Sequence, residues 1–284
     1  MDLFFTNGVL IENDETDSSQ VSAQVSFNDR ALQYGDGVFE TVRIFNGEIP
    51  MWEFHQQRLS HAQKILGLAL DDFFAQWPSF VEKNLAGIEH ACAKIVISRG
   101  EGPRGYKIPG KAQINWWLKL TDLPASSLAK KTPFRLTLCQ HAISRQPALA
   151  GLKHLNRLDQ VMARSEWSEQ DAFDEGIMFN LDGDVIEGTM SNIFWLKGEQ
   201  LYTTDLSQEG IDGCVRRWLI KQQKNKRPVI IEKNVKLDRL LNADGVFLSN
   251  SLIGIQSVAE IDGQIIAHNY QIDELATHFN RQYV

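Results

Sequence analysis

At 284 residues and 43% hydrophobic composition, the chain is long enough for one large or two ordinary domains with a substantial core. Lysine plus arginine number 29 against 36 aspartate plus glutamate, a net charge of −7 without long like-charge runs, so nucleic acid is excluded as an expected partner and an anionic ligand must be selected by local arginines. No apolar run approaches the roughly 20 residues of a membrane span, and Asp2 stands where a secretory peptide carries basic residues, so a soluble, cytoplasmic protein is expected.

In chain order, residues 21–27 and 37–45 are β-rich, and Asn46-Gly47 before Glu48-Ile49-Pro50-Met51 predicts a tight hairpin where two strands meet. Helical spacing starts at Glu53, with Leu59, Ala62, Ile65 and Leu66 on one side, and residues 71–85 form a second predicted helix after Asp71-Asp72. Residues 93–98 and 113–120 return to strand. The stretch 121–132 is polar, contains Pro124 and lacks periodicity, which predicts a linker between domains at 1–120 and 133–284.

Beyond it, Phe134, Leu136 and Leu138 alternate with Arg135 and Thr137 as a half-buried strand. Asn156 is the expected cap of a helix carrying Leu158, Val161, Met162 and Trp167. Residues 175–180, 185–188, 193–197 and 201–203 read as a β-meander of the sort found in barrels, with turns at Asp182-Gly183 and Gly198-Glu199. A helix at 215–222, strands at 229–233 and 245–249 and a closing helix at 270–279 complete a mixed α+β chain. Cys92, Cys139 and Cys214 are scattered without metal-ligand spacing, which suits reduced thiols and implies no metal site.

Four local patterns carry chemistry. Lys153 lies in Gly151-Leu152-Lys153-His154-Leu155-Asn156-Arg157, between two leucines, and a lysine held against apolar neighbours gives up its proton more readily and attacks carbonyls as a free amine. A lone lysine is ordinarily a solvated loop residue; the other patterns shift that balance. Glu187 ends a strand before Gly188-Thr189-Met190-Ser191-Asn192, where a carboxylate can hold a protonated ring nitrogen. Gly210-Ile211-Asp212-Gly213-Cys214-Val215-Arg216 opens a helix with glycines, leaving backbone N–H groups and the helix dipole for a phosphate. Arg58, in His55-Gln56-Gln57-Arg58-Leu59, offers a guanidinium fork that suits the same group, with a surface ion pair as the plainer alternative.

Together with Asn28-Asp29-Arg30-Ala31, Tyr34-Gly35-Asp36-Gly37-Val38-Phe39-Glu40-Thr41 and Gly213-x-x-Arg216, these motifs resemble those of the fold-type IV pyridoxal-phosphate enzymes, over nearly the whole chain. That group includes branched-chain and D-amino acid aminotransferases and aminodeoxychorismate lyases. The resemblance implies a smaller N-terminal α/β domain, a larger C-terminal barrel-like domain, pyridoxal 5′-phosphate at their interface and a homodimer. It implies that Lys153 forms the Schiff base, that Glu187 binds the pyridine nitrogen, and that Arg58, Ser251 and the backbone of Cys214 and Val215 hold the phosphate. Asn192 belongs to the same motif, and Arg157 stands where the aminotransferases carry a tyrosine near the cofactor hydroxyl.

Within the group, Lys153 to Val161 and Ser98-Arg99-Gly100-Glu101-Gly102-Pro103-Arg104-Gly105-Tyr106 are similar to segments of the lyases, which release pyruvate from 4-amino-4-deoxychorismate and leave 4-aminobenzoate. On that resemblance Arg99, Arg104 and Tyr106 would face the substrate's carboxylates, and Thr41 or Tyr106 the leaving group, with loop solubility as the plainer reading of the arginines. Glu40 departs from the lyase pattern, which has a small hydroxyl residue there, and follows the aminotransferases, so an aminotransferase remains the alternative.

Overall fold

Alternation along one nine-residue strand sets the inner face of the first half of the chain. The computed structural model describes residues 2–11, 25–110, 112–123 and 132–283. Its contacts divide the chain into two compact units, Met1–Leu128 with Lys153–Asn156, and Ala129–Leu152 with Arg157–Val284.

In the first unit β1 (Asp2–Thr6), β2 (Val9–Ile11), β3 (Gly37–Phe45), β4 (His90–Ser98) and β5 (Asn115–Asp122) form a sheet in the order β2-β1-β5-β4-β3, every pairing antiparallel. Successive side chains of a strand point to opposite faces, and in β3 it is Val38, Glu40, Val42 and Ile44 that are buried while Phe39 and Thr41 lie half-buried on the other side. After the short helix α1 (Arg30–Tyr34), helix α2 (Trp52–Leu66) buries Phe54, His55, Arg58, Leu59 and Ala62, a stripe at helical spacing that packs on β3. Helix α3 (Asp71–Asn84) buries Phe73, Trp77 and Phe80, whose rings stand 5.4, 6.2 and 5.2 Å from that of Trp116 on β5. Each such pair adds about 0.5–1.5 kcal/mol to the burial of its area.

The second unit contains a nine-stranded sheet. Its strands are β6 (Phe134–Leu138), β7 (Glu175–Phe179), β8 (Val185–Gly188), β9 (Asn192–Lys197), β10 (Gln200–Thr204), β11 (Ile230–Glu232), β12 (Gly245–Asn250), β13 (Gly254–Ile261) and β14 (Gln264–Ile265). They run in the order β11-β10-β9-β12-β13-β6-β7-β8, with β14 paired to β13. One core joins Leu136, Ile177, Val185, Ile193, Trp195 and Val246; a second joins Cys139, Met178, Ile186 and Leu206. Strands β7 and β8 contribute to both, so they are buried on both faces.

Several expectations need correction. Asn46-Gly47 makes a turn closed by a single bridge, Phe45 to Glu48, because the chain enters α2 at Trp52 before a second strand can form. Residues 21–27 fall largely outside the described residues, and 25–27 are not strand. Of the expected linker, 124–131 lie outside the described residues, and Thr121 and Asp122 still belong to β5, paired with Cys92 and Ala91. Four further strands form two hairpins, β7-β8 and β9-β10, set apart in the sheet order, because β9 pairs with β12 and not with β8. Helix α4 (Leu158–Arg164) has no side-chain cap: the Asn156 amide donates to the Gly35 carbonyl at 3.2 Å instead. It also exposes Leu158, Val161 and Met162 and ends before Trp167.

Candidate active site

In the first unit the four-residue segment Lys153–Asn156 adds itself to the edge of β3. The Phe39 amide donates to the Lys153 carbonyl at 3.0 Å, and the Leu155 amide to the Gly37 carbonyl at 3.1 Å. This backbone pairing carries the half-buried Lys153 side chain over the Phe39 ring, with Nζ 4.3 Å from its centroid. Thr41, two residues along, shares that face of the strand.

Glu40 points to the opposite face, into the core. There Arg58 Nε and Nη2 from α2 grip its two carboxylate oxygens at 2.8 and 2.5 Å, and His55 Nδ1 lies 2.7 Å from Oε2. All three groups are buried. Burial alone would push the Glu40 carboxyl up, but the Arg58 charge, then His55, hold it down at about 2. Arg58 therefore forms an ion pair, and a buried one.

Arg99, expected to meet a substrate carboxylate, is a brace within the fold. Its Nε binds Asp36 Oδ2 at 2.8 Å, and Nη1 and Nη2 donate to the carbonyls of Gly67 and Leu66 at 3.0 and 2.7 Å, where α2 ends and its dipole favours a cation. Arg30 shares the same Asp36 oxygen at 2.8 Å and donates to the Gly105 carbonyl at 3.1 Å, which anchors the loop beyond Arg99. On that loop Arg104 and Tyr106 remain exposed, Tyr106 with its ring 5.4 Å from that of Tyr34. The loop motif thus divides between a structural arginine and two solvent-facing residues.

In the second unit a β-bulge opposite Met178 and Phe179 makes Ile186 an extra residue in β8, the kind of irregularity that re-aims the side chain after it. That side chain is Glu187. It is buried, and its Oε2 accepts the Ile211 amide at 2.8 Å. Gly210 passes so close that a Cβ would stand 3.2 Å from the same oxygen, and its φ of +84° is one that glycine adopts without strain. Asn192 at the start of β9 donates to the Ile211 carbonyl at 2.8 Å and accepts the Gly213 amide at 3.1 Å. A Cβ on Gly213 would lie 2.0 Å from that Asn192 oxygen, so a side chain there would displace the Asn192 amide from the loop. Helix α5 (Cys214–Gln223) starts directly after, without a side-chain cap and without an acidic residue in its first turn.

Arg157 is held below its ordinary pKa by burial, against the opposing charges of Glu187 and Asp159. Ser251 is half-buried in the turn after β12. Two residues missed in the sequence organise these loops. Buried Glu175 accepts the Thr189 amide at 3.1 Å, the Thr189 hydroxyl, and the Ser191 hydroxyl at 3.1 Å, which shapes the turn between β8 and β9. Asn250 accepts the amides of Leu252 and Ile253 at 2.9 and 2.8 Å and donates to the Met190 carbonyl at 3.1 Å. Asn250 had a legible signal, an Asx residue after a strand. Glu175 had none, since its partners lie 14 and 16 residues away.

These features fit pyridoxal 5′-phosphate. A helix start with glycine and no acidic side chain in its first turn accepts a phosphate, a buried carboxylate suits a pyridinium, and a lysine against an aromatic ring suits an aldehyde. A cavity of about 200 Å³ elsewhere in the second unit has a different lining, in which Asp184, Asp205, Glu209 and Glu232 are set against Arg145 and Lys233.

Residues 37–261 match the amino-transferase class IV family. Over 241 residues the chain is 33% identical to an aminodeoxychorismate lyase of Vibrio harveyi, covering 84% of this chain and 87% of that one. It is 29% identical over 266 residues to a putative branched-chain-amino-acid aminotransferase of Methanocaldococcus jannaschii, covering 92% and 90%. The crystal structure of 4-amino-4-deoxychorismate lyase from Pseudomonas aeruginosa superimposes with a TM-score of 0.84 at 32% identity, over 98% of both chains.

Proposed function

The chain belongs to the class IV amino-transferase family of pyridoxal-phosphate enzymes, and from that premise we propose that it is an aminodeoxychorismate lyase, converting 4-amino-4-deoxychorismate to 4-aminobenzoate and pyruvate. The observation that carries this reading over an aminotransferase is the alternation of β3. Glu40, the residue that departs from the lyase pattern, faces the core and Arg58, whereas Phe39 and Thr41 lie on the face where the Lys153 amine is found. The departure therefore leaves the reacting side of the strand unchanged.

In this reading Glu187, Arg157, Asn192, Ser251 and the backbone of Cys214 and Val215 hold the cofactor, with Lys153 as its covalent partner; Arg58, expected at the phosphate, is held by Glu40. The cofactor, when bound, withdraws electrons from the substrate carbon that carries the amine and so acidifies its proton. The neutral Lys153 amine accepts that proton as general base. Glu187 keeps a positive charge at the ring nitrogen by remaining ionised beside it. The Thr41 hydroxyl donates a hydrogen bond to the departing enolpyruvyl oxygen, and the C–O bond breaks as the six-membered ring becomes aromatic. One proton leaves the ring and one reaches the leaving group, so no external oxidant is required. A homodimer is part of the proposal, since α4 exposes Leu158, Val161 and Met162 as an apolar stripe suited to a second copy. Location in the cytoplasm is proposed with it.

The test is incubation of purified protein with enzymatically prepared aminodeoxychorismate, following 4-aminobenzoate and pyruvate in equal amounts. Amino acid plus 2-oxoglutarate is run in parallel. Transamination without 4-aminobenzoate overturns the lyase.

A further inference from the structure

Resting on that reading, we infer that Lys94 is a specificity-determining residue, the cation that receives the ring carboxylate of the substrate. Lys94 lies on β4 directly across from Thr41. Its Nζ stands 5.5 Å from the centroid of the Phe39 ring, the same ring that lies 4.3 Å from Lys153 Nζ. Phe39 thus has two lysine nitrogens beside its ring, one the expected nucleophile and one with no assigned role.

The surroundings of Lys94 suit a ligand rather than the fold. It is exposed, and among the described residues no carboxylate lies within ion-pair distance of it. Its other cross-strand neighbour is Lys119 on β5. Like charges directly opposite each other destabilise a sheet. Lys119 is compensated by Asp2 at 2.8 Å and lies 5.3 Å from the Phe4 ring. Lys94 has a ring beside it, that of Phe39, but no counterpart of Asp2. An uncompensated cation beside Thr41 and Phe39, in a chain of net charge −7, places local positive potential where the overall charge would repel a dianion. An aromatic acid fits this place better than an aliphatic amino acid, because it can lie against Phe39 while its carboxylate meets Lys94.

The experiment uses the holoenzyme with two probes, 4-aminobenzoate and its neutral counterpart 4-aminobenzamide. Wild type should bind the acid at least tenfold more tightly than the amide. Lys94→Met should abolish that preference, Lys94→Arg should retain most of it, and Lys119→Met should leave it unchanged. In turnover of aminodeoxychorismate, Lys94→Met should raise KM ten- to a hundredfold with little change in kcat, as expected for a contact made equally in the ground and transition states. No preference in wild type, or an unaltered preference in Lys94→Met, overturns the assignment, and so does an equal loss in Lys119→Met, which would make it a property of the whole face. If wild type forms no 4-aminobenzoate the lyase reading fails, while the binding comparison still decides the role of Lys94.

Discussion

Glu40 and Arg58 form a two-point ion pair inside the first unit, at 2.8 and 2.5 Å, although one comes from a strand and the other from a helix 18 residues later. The pair makes stability depend on acid in a defined way. The Glu40 carboxyl is lowered from 4.5 to about 2, so its contribution is complete above 4.5 and is lost as pH falls through about 2. Acid unfolding followed by tryptophan fluorescence should show this loss in wild type and lack it in Glu40→Gln. That variant should also be destabilised by about 3–5 kcal/mol at neutral pH, because it leaves a buried guanidinium without its counter-charge. Superimposable acid profiles would remove Glu40 from the account.

Lys153 should carry the cofactor. The purified protein should be yellow, and borohydride should fix the cofactor to the peptide containing Lys153. Lys153→Ala should bind pyridoxal phosphate without a covalent link and show no turnover. Labelling of another lysine would relocate the site.

Glu187→Gln should fold normally, since a glutamine can still accept the Ile211 amide, yet lose the negative charge opposite the ring nitrogen. Losing one positioned charge of this kind should cost ~10²-fold or more in kcat. Full activity would mean that Glu187 serves only the loop.

The two loop arginines should behave differently. Arg99→Ala removes donors from Asp36 and from the carbonyls of Leu66 and Gly67, and should lower stability by roughly 1–3 kcal/mol. Arg104→Ala should leave the melting temperature unchanged and, if the residue meets a substrate carboxylate, reduce kcat/KM about ten- to a hundredfold. Wild-type kinetics in Arg104→Ala would reduce this loop to a surface feature.

Gly213→Ala should disturb the loop before α5, because the new methyl would meet the Asn192 oxygen at 2.0 Å. The expected result is weaker binding of pyridoxal phosphate in a spectral titration with the secondary structure retained. An unchanged dissociation constant would show that this loop does not touch the phosphate.

Much of this protein is legible in its sequence. The helices at α2, α3 and α5 follow from apolar spacing and from the glycines before Cys214. The strands β3, β8 and β12 follow from β-branched and aromatic runs. The lysine, the strand-end glutamate and the glycine loop announce a carbonyl cofactor with a phosphate, because each is a local pattern whose chemistry acts over a few neighbouring residues.

What the sequence could not decide is which distant residues meet. Glu40 read as a departure from a motif until register and alternation turned it toward Arg58, and Arg99 read as a ligand until it reached the end of α2. Glu175 and Lys94 carried no local signal, because one acts on a turn 14 to 16 residues away and the other depends on which strand lies beside β4. Local propensity sets where elements begin and end. Strand register and helix docking arise from burying apolar surface across the whole unit, and they alone determined which charged groups are paired and which are offered to a ligand.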